Sequence, residues 1–141
     1  MRSFQTEISK KIPEALKVLA KPSAETVKDA SFALGITFGP QMIDYLSNYG
    51  AISFDTVEFN GLTETKKNNS SLVRNTLFLR DAFPSQMNGL VLLEDRGDGD
   101  YVLCDSNDRV IRFTPEISLK AIDSGLDLID YTLLRHQEIQ K

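Results

Sequence analysis

The chain of 141 residues contains no tryptophan, one cysteine, one histidine and no apolar run longer than four residues. A single cysteine cannot form a disulfide within its own chain, so folding depends on an ordinary hydrophobic core. A membrane-spanning helix needs about 20 consecutive apolar residues and a secretory signal needs about 7 to 15, and the sequence contains neither. We therefore expect a cytoplasmic protein without a membrane segment.

Basic residues are outnumbered by acidic residues, 16 to 20, and the imbalance is local. Residues 94–108 contain six acidic side chains and one basic side chain, a net charge of −5, which leaves +1 for the rest of a chain whose total is −4. Nucleic-acid binding depends on a basic stripe that neutralises phosphates, and neither the total nor the distribution of charge provides one. We therefore expect no direct contact with nucleic acid.

The first 22 residues differ from the rest of the chain in the spacing of their apolar residues. Four apolar residues recur at helical spacing: Ile8, Ile12, Leu16 and Leu19. Pro13 falls inside this pattern and predicts a break into two short helices, because proline removes a backbone donor. We therefore interpret residues 1–22 as an N-terminal helical segment packed on a single domain of residues 23–141.

The remaining chain has local signals for four helices and an antiparallel sheet. Ser23 is a good cap for a helix that ends at Gly35, and Pro40 suits the first position of the next helix. Helices are predicted at 24–34, 40–48, 71–81 and 127–138, strands at 52–57, 89–95, 100–105 and 109–113, and a mobile polar loop at 66–69. The last three strands, separated by Gly/Asp and Asp/Ser/Asn turns, form a meander, so the fold class is α+β with helices packed on an antiparallel sheet.

Candidate catalytic and metal sites are weak. The loop at 95–100 has Gly97 and Gly99 where a calcium loop needs side-chain ligands, so it is predicted to be a solvated hairpin turn. His136 is expected to be exposed on the last helix, and Cys104 is expected to be buried within a strand. We therefore predict no catalytic residue, no metal, no cofactor and no enzymatic activity.

The order of several short motifs resembles the SUKH superfamily. The motifs are Leu34-Gly35-Ile36-Thr37-Phe38-Gly39-Pro40, Ile43-x-x-Leu46-x-x-Tyr49-Gly50, Phe59-Asn60-Gly61-Leu62 and Gly97-Asp98-Gly99-Asp100-Tyr101. The resemblance runs from about Ser23 to Ile139. It implies an α+β fold without established catalysis, as in bacterial immunity proteins that protect cells from polymorphic toxins and in fungal regulators of cell-wall synthesis.

The resemblance and the charge distribution together predict a binding function. The expected partner is a cognate toxin domain, for example a basic nuclease, which a monomeric immunity protein would bind and neutralise. The alternatives are a regulatory adaptor and a small-ligand-binding domain. Aromatic rings at turns and the acidic segment provide the candidate partner-binding residues, which are Tyr49, Asp95, Asp98, Asp100, Tyr101, Asp105 and Asp108.

Overall fold

A computed structural model describes residues 2–64 and 70–140 and has helices packed on antiparallel sheets within these ranges. The helices are α1 (Phe4–Lys11), α2 (Ala24–Leu34), α3 (Pro40–Asn48), α4 (Ser71–Ala82) and α5 (Leu128–Ile139). The strands are β1 (Ser53–Phe54), β2 (Val57–Glu58), β3 (Val91–Asp95), β4 (Tyr101–Cys104), β5 (Arg109–Phe113) and β6 (Ile122–Asp127). The predicted α+β class is confirmed. The predicted loop at 66–69 lies outside the described residues.

The four helices predicted after residue 22 are confirmed, and their observed ends differ from the predicted ends by at most one residue. The Ser23 hydroxyl caps α2 by accepting a hydrogen bond from the Thr26 backbone N–H at 3.2 Å. Asp127 caps α5 in the same way, through the Asp130 N–H at 2.8 Å. No helix in the described ranges is long and apolar enough to cross a membrane.

The N-terminal segment contains one helix rather than the two predicted. Helix α1 buries Phe4 and Ile8 and packs against α3 and α5. Beyond Pro13 the chain is extended, and Leu16 exchanges backbone hydrogen bonds with Ser53 at 2.8 and 3.2 Å. The prediction of a second helix is wrong. Leu16 and Leu19 do not pack into the core as that helix would require, and Leu16 is 67% exposed. The domain division at residue 22 stays a prediction.

The strand predicted at 52–57 is instead a tight hairpin made by β1 and β2. Ser53 pairs with Glu58 and Phe54 pairs with Val57. Asp55 lies in the turn with φ of 53°, a left-handed conformation that aspartate tolerates better than most residues. Apolar and polar residues do alternate over 52–57 as predicted, but a turn at Asp55 divides this stretch into two short strands.

The main sheet has the strand order β3-β4-β5-β6, with every neighbouring pair antiparallel. The predicted three-stranded meander is confirmed, and β6 adds an edge strand that the sequence pattern did not predict. One face of the sheet carries Val91, Leu93, Val102, Cys104 and Val110 into the larger core. The other face carries Leu92, Leu103 and Phe113 into a smaller core with Leu79 of α4 and Met87. Helix α4 therefore contributes to both cores, with Leu72 and Val73 in the larger one and Leu79 in the smaller one.

Candidate protein-binding surface

The turn between β3 and β4 is shaped by three consecutive residues with positive φ. The values are 89° at Gly97, 55° at Asp98 and 74° at Gly99. The side chain of Asp95 stabilises the turn by accepting a hydrogen bond from the Gly97 N–H at 2.9 Å. The predicted hairpin turn is therefore confirmed, and in the described ranges no group of three or more metal-ligating side chains converges.

A shallow cleft of about 230 Å³ lies where this turn meets α4, and we call it the Tyr101 cleft. Its lining residues are Asn75, Phe78, Leu79, Leu92, Asp95 and Tyr101. The half-buried ring of Tyr101 has its centroid 6.4 Å from that of Phe113, which fixes it against the smaller core. Phe78 is 79% exposed on α4. The structure therefore joins two predicted residues, Asp95 and Tyr101, to an exposed aromatic ring.

Phe78 is the residue that the sequence-based prediction missed. The buried face of α4 consists of Leu72, Val73, Thr76 and Leu79. Phe78 follows Thr76 by two positions and so lies well away from that face on a helix of 3.6 residues per turn. An aromatic residue out of phase with the buried face was the available signal, but a weak one, because single exposed apolar residues are common and Phe32 on α2 is 89% exposed.

The remaining acidic residues at this turn differ in their partners. Asp100 forms an ion pair with Arg112 at 2.8 Å, which ties the turn to β5 and compensates the Asp100 charge. Asp98 is exposed at the tip. Within residues 2–64 and 70–140, neither Asp95 nor Asp98 forms an ion pair. These two carboxylates therefore carry the uncompensated negative charge at this end of the sheet.

Asp105 and Asp108 lie at the opposite end of β4, which is about 13 Å long at 3.3 Å per residue. Asp105 accepts hydrogen bonds from the backbone N–H groups of Asn107 and Arg109, at 2.8 and 2.9 Å, and so holds the turn between β4 and β5. The predicted acidic segment is thus divided between two ends of the sheet. The candidate residues of the acidic segment therefore do not form one surface, because β4 separates residues that are close in sequence.

Asp108 is a buried structural residue. It is 3% exposed, and its carboxylate accepts the backbone N–H groups of Gln41 and Met42 at 2.9 Å each, which caps α3. Gly39 precedes α3 without a side chain, and a Cβ there would overlap the Asp108 carboxylate. Burial raises the pKa of Asp108, although the two N–H groups act in the opposite direction. We therefore do not include Asp108 in the candidate surface.

Glu94 accounts for another part of the acidic segment. It is 2% exposed because an irregularity in β3 after Leu92 turns its side chain toward α5. The Tyr131 hydroxyl donates to Glu94 at 2.5 Å, and Arg135 Nε donates at 3.0 Å. Burial and the neighbouring carboxylate raise the pKa of Tyr131. The Glu94 charge is therefore compensated inside the protein and is not offered to a partner.

Tyr49 is not available at the surface. Its side chain is 1% exposed, its ring meets Phe4 edge-on at 5.6 Å between centroids, and Lys17 Nζ lies 4.8 Å from the ring centroid. The buried ring of Tyr49 does not fit the predicted role of an interface anchor. Core packing accounts for this residue.

The two residues considered for nucleophilic chemistry have other partners. His136 Nε2 lies 2.8 Å from a Glu14 carboxylate oxygen, and its ring packs edge-on against Phe54, so it is half-buried rather than exposed as predicted. Cys104 is fully buried as predicted, and burial raises the pKa of its thiol well above the usual value. A thiol in that setting is a poor nucleophile near neutral pH.

A larger cleft of about 410 Å³ lies on the other side of Asn75. It is bounded by Leu16 and Lys17 of the extended N-terminal segment and by Ser71 in the first turn of α4. This cleft is the candidate site for the small-ligand alternative. Its size falls within the range of small-molecule sites. Its aromatic residue, Phe59, is only 3% exposed, and its carboxylate, Glu58, shares the lining with the cationic side chains of Lys17 and Arg74.

The fold is of the α+β class and presents an exposed aromatic ring beside acidic side chains. The family model SUKH_5, described as SMI1-KNR4 cell-wall, matches residues 1–124, and the chain therefore belongs to the SUKH superfamily. This superfamily is generally non-enzymatic, and its members bind partner proteins. No curated protein matches the chain. The matched residues include α4, the β3–β4 turn and the whole Tyr101 cleft.

Proposed function

We propose that this protein is a monomeric, non-enzymatic immunity protein of the cytoplasm, which binds a cognate toxin domain and blocks its active surface. The observation that carries the proposal is the exposed ring of Phe78 beside Tyr101, at the end of the sheet where Asp95 and Asp98 have no cationic partner in the described ranges. Aromatic residues are enriched in the centres of protein interfaces and polar residues at their rims. The surface has this arrangement.

The charge at this end of the sheet favours a basic partner. Complementary charges accelerate encounter and fix the relative orientation of two proteins. A nuclease toxin presents a basic surface to its phosphate-rich substrate, and an acidic inhibitor would cover that surface. The aromatic cleft would then supply most of the binding free energy, while Asp98 at the tip of the turn would act mainly on the association rate.

Growth protection tests this function. The genes beside this one are searched for a secreted protein with a toxin-like C-terminal domain, and that domain is co-expressed with the chain. We expect the wild type to restore growth and Phe78→Ala to lose protection. Phe32→Ala is the matched control because Phe32 is 89% exposed on α2, outside the cleft. Thermal unfolding confirms that both variants fold. Failure of the wild type to protect, or full protection by Phe78→Ala, would contradict the proposal.

A regulatory adaptor is the second candidate, and the cell-wall description of the matched family model favours it. An adaptor would use the same exposed surface to recruit a signalling or cell-wall protein instead of a toxin. Deletion of the gene separates the two functions. Loss of an adaptor changes cell-wall integrity in the absence of any toxin, whereas loss of an immunity protein is harmful only when the toxin is present.

A further inference from the structure

The Tyr101 cleft combines three kinds of group around one small volume. Phe78 and Tyr101 contribute aromatic rings, Leu79 and Leu92 contribute apolar surface, and Asp95 contributes a carboxylate. Its volume of about 230 Å³ is below the range of about 300 to 1,000 Å³ that is typical of small-molecule sites. The cleft is therefore suited to a single side chain of a partner rather than to a separate ligand.

Among the described residues that line the cleft, the one charged group is the Asp95 carboxylate, which only accepts hydrogen bonds. One oxygen of Asp95 accepts the Gly97 N–H, and its carboxylate forms no ion pair with any residue in the described part of the chain. Asn75 uses its amide nitrogen to donate to Asn60 Oδ1 at 3.0 Å. Its carbonyl oxygen can therefore accept a further hydrogen bond. The Asp95 carboxylate therefore favours a side chain that brings hydrogen-bond donors and a positive charge.

We propose that the Tyr101 cleft binds an arginine side chain of the partner protein, an inference that rests on the protein-binding function proposed above. A guanidinium group is planar and stacks on aromatic rings such as Phe78 and Tyr101, while its donors reach a carboxylate in a fixed geometry. Lysine carries the same charge as a compact, strongly hydrated ammonium, which stacks less well. The exposed ring and the unpaired carboxylate together favour arginine.

The experiment is an NMR titration of the isolated, isotope-labelled chain with N-acetyl-arginine amide. Citrulline and lysine derivatives with the same end groups are the reference probes, because citrulline keeps the shape without the charge and lysine keeps the charge without the plane. We expect saturable shifts of the Phe78, Asp95 and Tyr101 resonances. The dissociation constant should be on the order of millimolar because the contact is small and partly exposed. Citrulline should not bind, and lysine should bind more weakly.

Two variants with the same change of charge test the role of the carboxylate. Asp95→Asn should weaken binding of the arginine probe about fivefold, the upper end for a partly exposed ion pair. Asp29→Asn, which makes the same change of charge at an exposed position on α2 outside the cleft lining, should leave it within about twofold of the wild type. Phe78→Leu keeps apolar surface without an aromatic ring and should also weaken binding.

The inference is overturned by equal binding of citrulline, by equal binding of lysine, or by shifts confined to other parts of the surface. It is also overturned when Asp29→Asn weakens binding as much as Asp95→Asn does. Because the titration uses the isolated chain, its result does not depend on the identity of the partner. A failure of growth protection with intact arginine binding would therefore refute the toxin partner and leave the cleft assignment standing.

Discussion

The cap that Asp108 places on α3 is a long-range contact whose contribution to stability can be measured. Asp108→Gly removes the carboxylate but keeps a residue that adopts the local φ of 62° without strain. The change leaves the N–H groups of Gln41 and Met42 without their acceptor. Two hydrogen bonds to a charged group contribute about 1.5 to 3 kcal/mol each, and the unfavourable burial that raises the pKa of Asp108 offsets part of this.

We therefore expect Asp108→Gly to lower the free energy of unfolding by about 2 kcal/mol, near the upper end for loss of a helix cap. The corresponding decrease in Tm is about 6 °C for a chain of this size. Asp108→Asn keeps one acceptor oxygen and should lose about half as much. Urea unfolding followed by circular dichroism measures both variants. An unfolding free energy for Asp108→Gly within about 0.5 kcal/mol of the wild type would refute the capping role.

Three further predictions concern charge and burial. Asp98→Asn should slow association with the toxin domain in stopped-flow measurements at low salt but not at high salt. The control variant Asp29→Asn, on α2, should associate at the wild-type rate in both conditions. Equal association rates for the two variants would place the interface elsewhere. Cys104→Ala should lower Tm without changing affinity for the toxin, and loss of binding at unchanged Tm would contradict a purely structural thiol. The hydrogen bond from Arg2 lowers the pKa of Asp130 below its usual 3.8, so this stabilisation is present above that pH and is lost as the pH falls through the folded-state pKa. Arg2→Gln should therefore lower stability at neutral pH, with a deficit that narrows in acid; a deficit independent of pH would exclude this linkage.

The parts of the fold that local chemistry specifies were predictable from the sequence. Helix α2 begins after its capping residue Ser23 and ends at Gly35. Both signals are adjacent in sequence to the helix that they delimit, so they can be read without knowing the fold. The strand β6 was missed because its sequence, IDSGLD, has little apolar alternation and none of its residues is buried. It exists through pairing with β5, which local propensity does not encode.

The candidate surface was predictable only in part, for a related reason. The Gly/Asp turn identified Asp95 and its neighbour in the next strand, Tyr101, but their proximity to Phe78 depends on how α4 packs on the sheet. The role of Asp108 depends on contacts with Gln41 and Met42, more than 60 residues away in the chain. The number of acidic residues in the segment 94–108 therefore overestimated the acidic surface. Folding places these residues at two ends of the sheet and buries Glu94 and Asp108.

The dissociation rate of the complex with the toxin domain tests most directly whether the partner binds at the Tyr101 cleft. Truncation of a central aromatic residue in an interface typically costs about 2 kcal/mol, which corresponds to about a 30-fold change in affinity. We predict that Phe78→Ala dissociates about 30 times faster than the wild type in surface-based kinetic measurements, while Phe32→Ala dissociates at the wild-type rate. Equal dissociation rates for Phe78→Ala and the wild type, with both proteins folded, would contradict the account.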